Sequence, residues 1–194
     1  MEIVVEPSPE APQSQHTILI SLFSQKAPLS SRNFLNYVED HFYDGTIFHR
    51  MIPHFMIQGG GFSPGMKVKQ GRSPISNEAS NNRQNTEGTI AMARTMEIDS
   101  ATSQFFINLQ DNPFLNHRDD TNQGYGYAVF GQIVSGLDWL EKLQELPTHQ
   151  VHSYADVPLR QVIIKRARVL SGKEKQQALV SLAETQGTHS KANH

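Results

Sequence analysis

The run Phe48-His49-Arg50-Met51-Ile52-Pro53-His54-Phe55-Met56-Ile57-Gln58-Gly59-Gly60 decides how this 194-residue chain is read. It sets a permanent cation among large apolar side chains, in a segment whose composition favours strand. Side chains alternate along a strand, so Phe48, Arg50 and Ile52 are expected on one face and His49 and Met51 on the other. Pro53 has no N–H to give to a ladder and should end the strand or turn a corner. Past the corner Met56 and Gln58 share a face. Parity leaves Phe55 open, and the glycines let the backbone turn or approach a neighbour closely. Taken alone, Arg50 is most simply a rim arginine, its stem over apolar neighbours and its head in water.

Outward from this run the chain is a series of short segments. Residues 3–5 and 17–23 are strand-forming runs on either side of Pro7-Ser8-Pro9-Glu10-Ala11-Pro12-Gln13-Ser14-Gln15, a loop that cannot pair, and together they predict a wide hairpin. Ala27-Pro28 opens a helix with Phe34, Tyr37, Val38 and His41 on one side, and Asp44-Gly45 turns the chain into the central run. Residues 61–89, rich in Gly, Pro, Ser and Asn, form a long irregular excursion of the kind that is functional or strapped down. Residues 89–94 and 103–108 are short strands, and Asn112-Pro113-Phe114-Leu115 is a turn. A strand follows at 126–134, then a helix at 136–146 carrying Leu137, Leu140 and Leu143. Residues 147–158 read as loop and 161–170 as a closing strand. Many short strands with only two helices predict a mostly β fold, an antiparallel barrel rather than a βαβ sheet. Residues 1–170 are expected to form one domain. Residues 171–194 are expected to be a polar tail, helical or disordered, with a weak stripe of Ala178, Leu179, Leu182 and Ala183.

Composition removes several classes of function. A net charge of −2 and a pI near 6.5 offer no basic face for nucleic acid and no polybasic signal for a membrane surface. There is no cysteine, hence no disulfide and no thiolate metal site, which suits a reducing compartment. Met1-Glu2-Ile3-Val4-Val5-Glu6-Pro7 lacks the basic start and apolar run of a signal peptide, and no stretch approaches membrane-spanning length, so the expected location is cytoplasmic. Gly61-Phe62-Ser63-Pro64-Gly65 fits the Gly-x-Ser-x-Gly pattern of a hydrolase elbow, but Pro64 has no N–H to serve as the oxyanion donor. Gly59-Gly60-Gly61 is not followed by the Lys-Ser or Lys-Thr of a phosphate loop. The nine histidines lack a His-Glu-x-x-His frame, and His149-x-x-His152 falls in an expected loop. They are read as surface residues, and no metal or cofactor is expected.

The pattern Phe-His-Arg-x-Ile-x-x-Phe-Met-x-Gln-Gly-Gly at 48–60 resembles the signature of the cyclophilins, the peptidyl-prolyl isomerases built on a small β-barrel. Residues 88–94 (Gly-Thr-Ile-Ala-Met-Ala-Arg), 100–108 (Ser-Ala-Thr-Ser-Gln-Phe-Phe-Ile-Asn) and 126–131 (Gly-Tyr-Ala-Val-Phe-Gly) resemble the bacterial branch in particular, and the similarity runs over about residues 16–170. What the resemblance implies is a closed eight-stranded antiparallel barrel capped by two helices, with a groove on its outside. It makes Arg50 the catalytic arginine, Phe55, Met56, Phe106 and Leu115 the pocket for a substrate proline ring, and Gln58 and Gln104 a polar wall. Ala93 and the backbone of Arg94 match the strand edge that pairs with the residues before the proline. Tyr127 stands where many eukaryotic members have histidine, keeping an aromatic wall. Phe114 stands where cyclosporin-sensitive members have tryptophan, so an indole donor is missing and weak cyclosporin binding is implied. The implied function is rotation about X-Pro bonds in proline-containing polypeptides, assisting their folding, by a monomer without nucleic-acid or membrane partners. The competing expectation is a proline-peptide binding module or chaperone with incidental turnover. Retention of Arg50 with the whole pocket favours the enzyme, because binding alone would not demand the cation.

Overall fold

The computed structural model describes residues 1–6 and 15–189. In chain order its elements are β1 (Glu2–Glu6), β2 (His16–Leu22), α1 (Pro28–Glu39), β3 (Ile47–Ile52), β4 (Met56–Gly59), β5 (Phe62–Ser63), β6 (Lys67–Val68), β7 (Thr89–Met92), β8 (Phe105–Asn108), β9 (Val129–Ser135), α2 (Leu137–Leu143), β10 (Thr148–Val151), β11 (Tyr154–Pro158), β12 (Val162–Arg168) and α3 (Gly172–His189). Eight strands close a barrel in the order β1-β12-β3-β4-β8-β7-β9-β2, with β2 pairing back onto β1 and every pairing antiparallel. This is the expected barrel. The loop that joins β1 to β2 lies largely outside the described residues.

The barrel is filled by alternate residues of its strands. Ile18, Ile20, Phe48, Met51, Ile57, Ile90, Phe105, Ile107, Phe130 and Ile164 form one buried cluster. α1 closes one mouth: Pro28 starts it, and Phe34 inserts its ring against Tyr43, Phe105 and Phe130 at 5.0–5.3 Å between centroids. Since Leu22 pairs with Gly131 and Leu19 with Ser135, α2, which follows β9, closes the opposite mouth with Leu140 and Leu143. His41, expected on the buried side of α1, is exposed and left-handed (φ 55°), because the helix ends at Glu39 and leaves His41 past its last turn.

One expectation about the central run fails for a geometric reason. Phe48 does not share a face with Arg50. The register between β3 and β4 shifts between these two residues, and the bulge lets Phe48 and Met51 both enter the core while Arg50 and Ile52 point out of the barrel. Pro53 does end β3, and His54 turns the corner at φ 54°.

The excursion between β4 and β7 is strapped to the barrel. Glu78 accepts hydrogen bonds from the backbone N–H of Leu29 and Ser30 (2.9 and 2.8 Å) and from Ser30 Oγ (2.7 Å), supplying the cap that Ala27 cannot give α1. A carboxylate there also faces the positive end of the helix. Within the excursion, Ser63 sits on the β5–β6 hairpin and its hydroxyl donates to the Lys67 carbonyl at 3.3 Å. Gly60 is held at φ 83°, where a Cβ would meet the Ser103 carbonyl at 2.9 Å, so this turn requires glycine.

One segment differs from the expected pattern, and another takes one of the two forms expected of it. Residues 147–158 are not loop but the hairpin β10–β11, with Val151 opposite Tyr154 and His152 left-handed in the turn. Its first strand, Thr-His-Gln-Val, carries too few apolar residues to announce itself. Within the polar C-terminal segment, Gly172–His189 form α3, a third helix. Ser171 and Glu174 build a capping box at its start: Ser171 N–H donates to Glu174 Oε2 (2.8 Å), Glu174 N–H donates back to Ser171 Oγ (3.4 Å), and Arg168 pairs with Glu174 at 2.7 Å. No helix among the described residues is long and apolar enough to cross a membrane.

Candidate active site

The outer face of β4, β7 and β8 carries a second buried cluster, distinct from the barrel core. Met56, Ala91, Phe106, Leu115 and Val129 form it, and Phe23, Ile52, Phe55, Ala93 and Tyr127 pack against it. Strand alternation explains the split. Ile57, Phe105 and Ile107 point in, and their neighbours Met56 and Phe106 point out.

Above this cluster lies a cleft of about 220 Å³ lined by Arg50, Phe55, Met56, Gln58, Ala93, Arg94, Phe106, Leu115 and Tyr127. Nine of the eleven residues expected at the site are therefore brought together. The other two are adjacent. Gln104 accepts a hydrogen bond from Gln58 Nε2 (2.9 Å) and faces a neighbouring cavity, while Phe114, 60% exposed, stacks on Phe55 at 5.5 Å, away from the cleft lining. Phe106 meets Tyr127 edge-on at 5.6 Å. The Arg94 guanidinium sits 5.0 Å over the Tyr127 ring and donates to the carbonyls of Gly126 (2.9 Å), Thr95 (2.9 Å) and Asn122 (2.8 Å). That side chain staples two loops, and among the described residues the Arg94 backbone has no hydrogen-bond partner.

A buried polar network holds the rim. Asn85 Nδ2 donates to the carbonyls of Leu115 (3.2 Å) and Tyr127 (3.3 Å), and Asn112 Nδ2 donates to the carbonyl of Phe55 (3.0 Å). Asn108 links the two, donating to Asn85 Oδ1 (3.2 Å) and accepting from Asn112 (2.8 Å). All three asparagines are essentially inaccessible to solvent. They fix the backbone of three cleft residues that come from distant parts of the chain.

Arg50 stands where this cleft meets a second cavity of about 450 Å³, lined by His49, Phe62, Gln104, Ser153, Tyr154 and Ala155 together with Arg50 and Gln58. Its Nε lies 3.5 Å from Asp156 Oδ2, a carboxylate supplied by β11. Burial pushes the His49 imidazole down to about 4, with the neighbouring Arg50 charge adding to the effect, so His49 is neutral at pH 7. The result is the Arg50 cation at the edge of a small cleft lined by apolar rings, with the Gln58–Gln104 amide pair beside it and the Arg94 guanidinium held over Tyr127. Such a site can bind an apolar ring and donate hydrogen bonds to a carbonyl or nitrogen next to it.

Sequence reasoning missed Asp156 and the three asparagines. Asp156 lay in a segment read as loop. Asn108 and Asn112 stood inside strand and turn patterns, where nothing in the local sequence distinguishes a buried amide from an exposed one.

Residues 11–169 match the family described as cyclophilin type peptidyl-prolyl cis-trans isomerase/CLD. The chain is similar to peptidyl-prolyl cis-trans isomerase B of Escherichia coli, at 51% identity over 78% of this chain and 93% of that one, and to peptidyl-prolyl cis-trans isomerase A of Dickeya dadantii, at 50% identity over 81% of each. Its fold resembles the crystal structure of a Cryptosporidium parvum cyclophilin type peptidyl-prolyl cis-trans isomerase in the presence of the dipeptide Ala-Pro. The TM-score is 0.69 at 25% identity, over 88% of this chain and 98% of that one.

Proposed function

Because this chain belongs to the cyclophilin-type peptidyl-prolyl cis-trans isomerases, we propose that the cleft beside Arg50 is its active site and that it acts on X-Pro bonds of flexible polypeptides. The observation that carries this assignment is the placement of the Arg50 guanidinium at the edge of a cleft walled by Phe55, Met56, Phe106, Leu115 and Tyr127. The proline ring occupies the cleft. The residues before it run along the backbone at Ala93 and Arg94, where the Ala93 N–H is already given to the Gln104 carbonyl (3.0 Å) and the Arg94 backbone is left to pair, and Gln58 and Gln104 form the polar wall.

Rotation about an X-Pro bond must break amide resonance, at a barrier of roughly 18–20 kcal/mol, while the two isomers differ by only about 0.5–1 kcal/mol. No bond is made or broken, so the enzyme's task is to bind the twisted amide better than the planar one. As the amide twists, the proline nitrogen regains a lone pair, which Arg50 meets with a hydrogen bond that planar substrate cannot accept. The pocket holds the ring still while the acyl side turns, and it excludes water that would weaken the arginine's field. No nucleophile takes part. We assign the isomerase unit to residues 1–170 and treat residues 171–194, which include α3, as a separate tail. Phe114 lacks an indole donor, so cyclosporin should bind weakly.

The alternative, a proline-peptide binder or chaperone with incidental turnover, parts from this reading at Arg50. Arg50→Ala should lower cis-trans exchange of a proline tetrapeptide, measured by NMR, by at least about tenfold, equivalent to about 1.4 kcal/mol of transition-state stabilisation. Equal rates would remove Arg50 from the mechanism and favour the binder. Arginine side chains keep their charge across the neutral range, so the wild-type rate should be flat between about pH 6 and 9.

A further inference from the structure

We propose that the second cavity, on the far side of Arg50 from the proline cleft, is a specificity subsite that receives an aromatic side chain on the residue following the substrate proline. The inference rests on the active-site assignment above and extends it along the substrate chain.

Direction comes from the sheet. The barrel order β3-β4-β8-β7 puts Ala93, just past β7, and Arg50, on β3, on opposite banks of the cleft, with β4 and β8 between them. Neighbouring strands lie about 4.8 Å apart, so the banks are about 14 Å apart, a span of roughly four extended residues. If the residues before the proline lie along Ala93 and Arg94, the chain leaving the proline crosses Arg50. The second cavity opens there, because both cavities are lined by Arg50 and Gln58.

The walls select the occupant. His49, Phe62 and Tyr154 form a run of rings: His49 packs on Phe62 at 4.5 Å between centroids, and Phe62 meets Tyr154 edge-on at 5.1 Å. Tyr154 is 39% exposed and leaves ring surface for a partner. The charged groups at this place are Arg50 and Asp156, which face each other at 3.5 Å, and the imidazole beside them is neutral at pH 7. Paired in this way, the two charges largely offset each other and leave no net charge at this place to favour an acidic or a basic side chain. A neutral ring can pack on the exposed part of Tyr154, which the buried Phe62 and His49 rings support from behind, and at about 450 Å³ the cavity has room for it. The Gln58–Gln104 amide pair borders the same space.

The test measures NMR exchange on two capped peptides, Gly-Ala-Pro-Phe and Gly-Ala-Pro-Ala, with the wild-type protein, Tyr154→Ala and Tyr154→Phe. Tyr154 is partly exposed on a hairpin, and circular dichroism checks that the barrel is intact in each variant. The expected result is a kcat/KM about fivefold higher for the phenylalanine peptide with the wild type and with Tyr154→Phe. With Tyr154→Ala that ratio should fall to near one, through loss on the phenylalanine peptide. A wild-type ratio near one, or a ratio that survives in Tyr154→Ala, overturns the subsite while leaving the isomerase assignment standing. Absence of exchange with both peptides would bring down the assignment and the subsite together.

Discussion

On one side of Arg50 the cleft is walled by residues of the barrel and of loops pinned to it, over a buried apolar cluster and three buried asparagines. On the other side, the larger cavity takes one wall from the β10–β11 hairpin, with an exposed tyrosine, a partly exposed carboxylate and a buried histidine. The difference separates two kinds of recognition. The first wall meets a group that never varies, a proline ring, and is built to be rigid. The second meets whatever residue comes next, and a hairpin at the rim can change without disturbing the barrel. Arg50 serves both, since it borders each cavity and is held from the hairpin side.

The contrast breaks most sharply under acid. His49 belongs to the hairpin-side cavity, yet it is 4% exposed, and burial lowers its folded-state pKa from the ordinary 6.5 to about 4. The unfolded chain then binds a proton between pH 6.5 and 4 that the folded chain refuses, so stability falls as pH drops through that window. The shift corresponds to as much as ~3 kcal/mol lost by pH 4. Urea unfolding at a series of pH values should show His49→Phe with a shallower slope than the wild type over this window. Parallel slopes would mean that the imidazole is charged or hydrated in the folded protein.

The cleft side should break through its amides. Asn85→Ala takes a partner from the Tyr127 carbonyl, and one of two from the Leu115 carbonyl and the Asn108 amide, which keep Tyr127 N–H and Thr89 Oγ1, at a cost of about 2 kcal/mol. It should also raise KM for a proline peptide, because the Leu115–Tyr127 pair, still joined by its own backbone hydrogen bond, loses the side chain that ties it to the excursion. An unchanged unfolding midpoint would show that water replaces the amide and that this wall is looser than the network implies. The Arg50→Ala experiment comes next in size, at about 1.4 kcal/mol or more.

Much of the barrel could be read from residue order because strand alternation and turn residues act locally. The strands at Ile57, Phe105 and Phe130, the helix carrying Phe34 and the glycine turns all follow from patterns a few residues long. Failures occurred where a distant partner decides the outcome. The bulge that turns Phe48 inward is set by its register with Gly59, and Glu78 caps a helix 48 residues before it in the chain. At the candidate site, the nine cleft residues were reachable because they fall in a few family-like runs. Asp156 and the asparagines were not, since a buried amide and an exposed one carry the same letter. Ser171-Gly172-Lys173-Glu174 is different: the tail was open between helix and disorder, and the capping-box spacing visible in the sequence favours the helix.

The smallest predicted effect bears most directly on whether the two sides of Arg50 are coupled. The Arg50–Asp156 pair is partly exposed on both sides, 43% and 37%, and at 3.5 Å it contributes little to stability. Its effect should be on orientation, since a guanidinium held from behind by Asp156 offers its remaining N–H groups to the cleft. Asp156→Asn keeps the shape and removes the charge. It should therefore leave the unfolding midpoint within about 0.5 kcal/mol of wild type and lower kcat about threefold, with KM for a proline tetrapeptide unchanged. A drop as large as that of Arg50→Ala would place Asp156 in the chemistry itself. No change in kcat would show that the barrel alone positions Arg50, and the hairpin would then act on substrate choice without touching the rotation step.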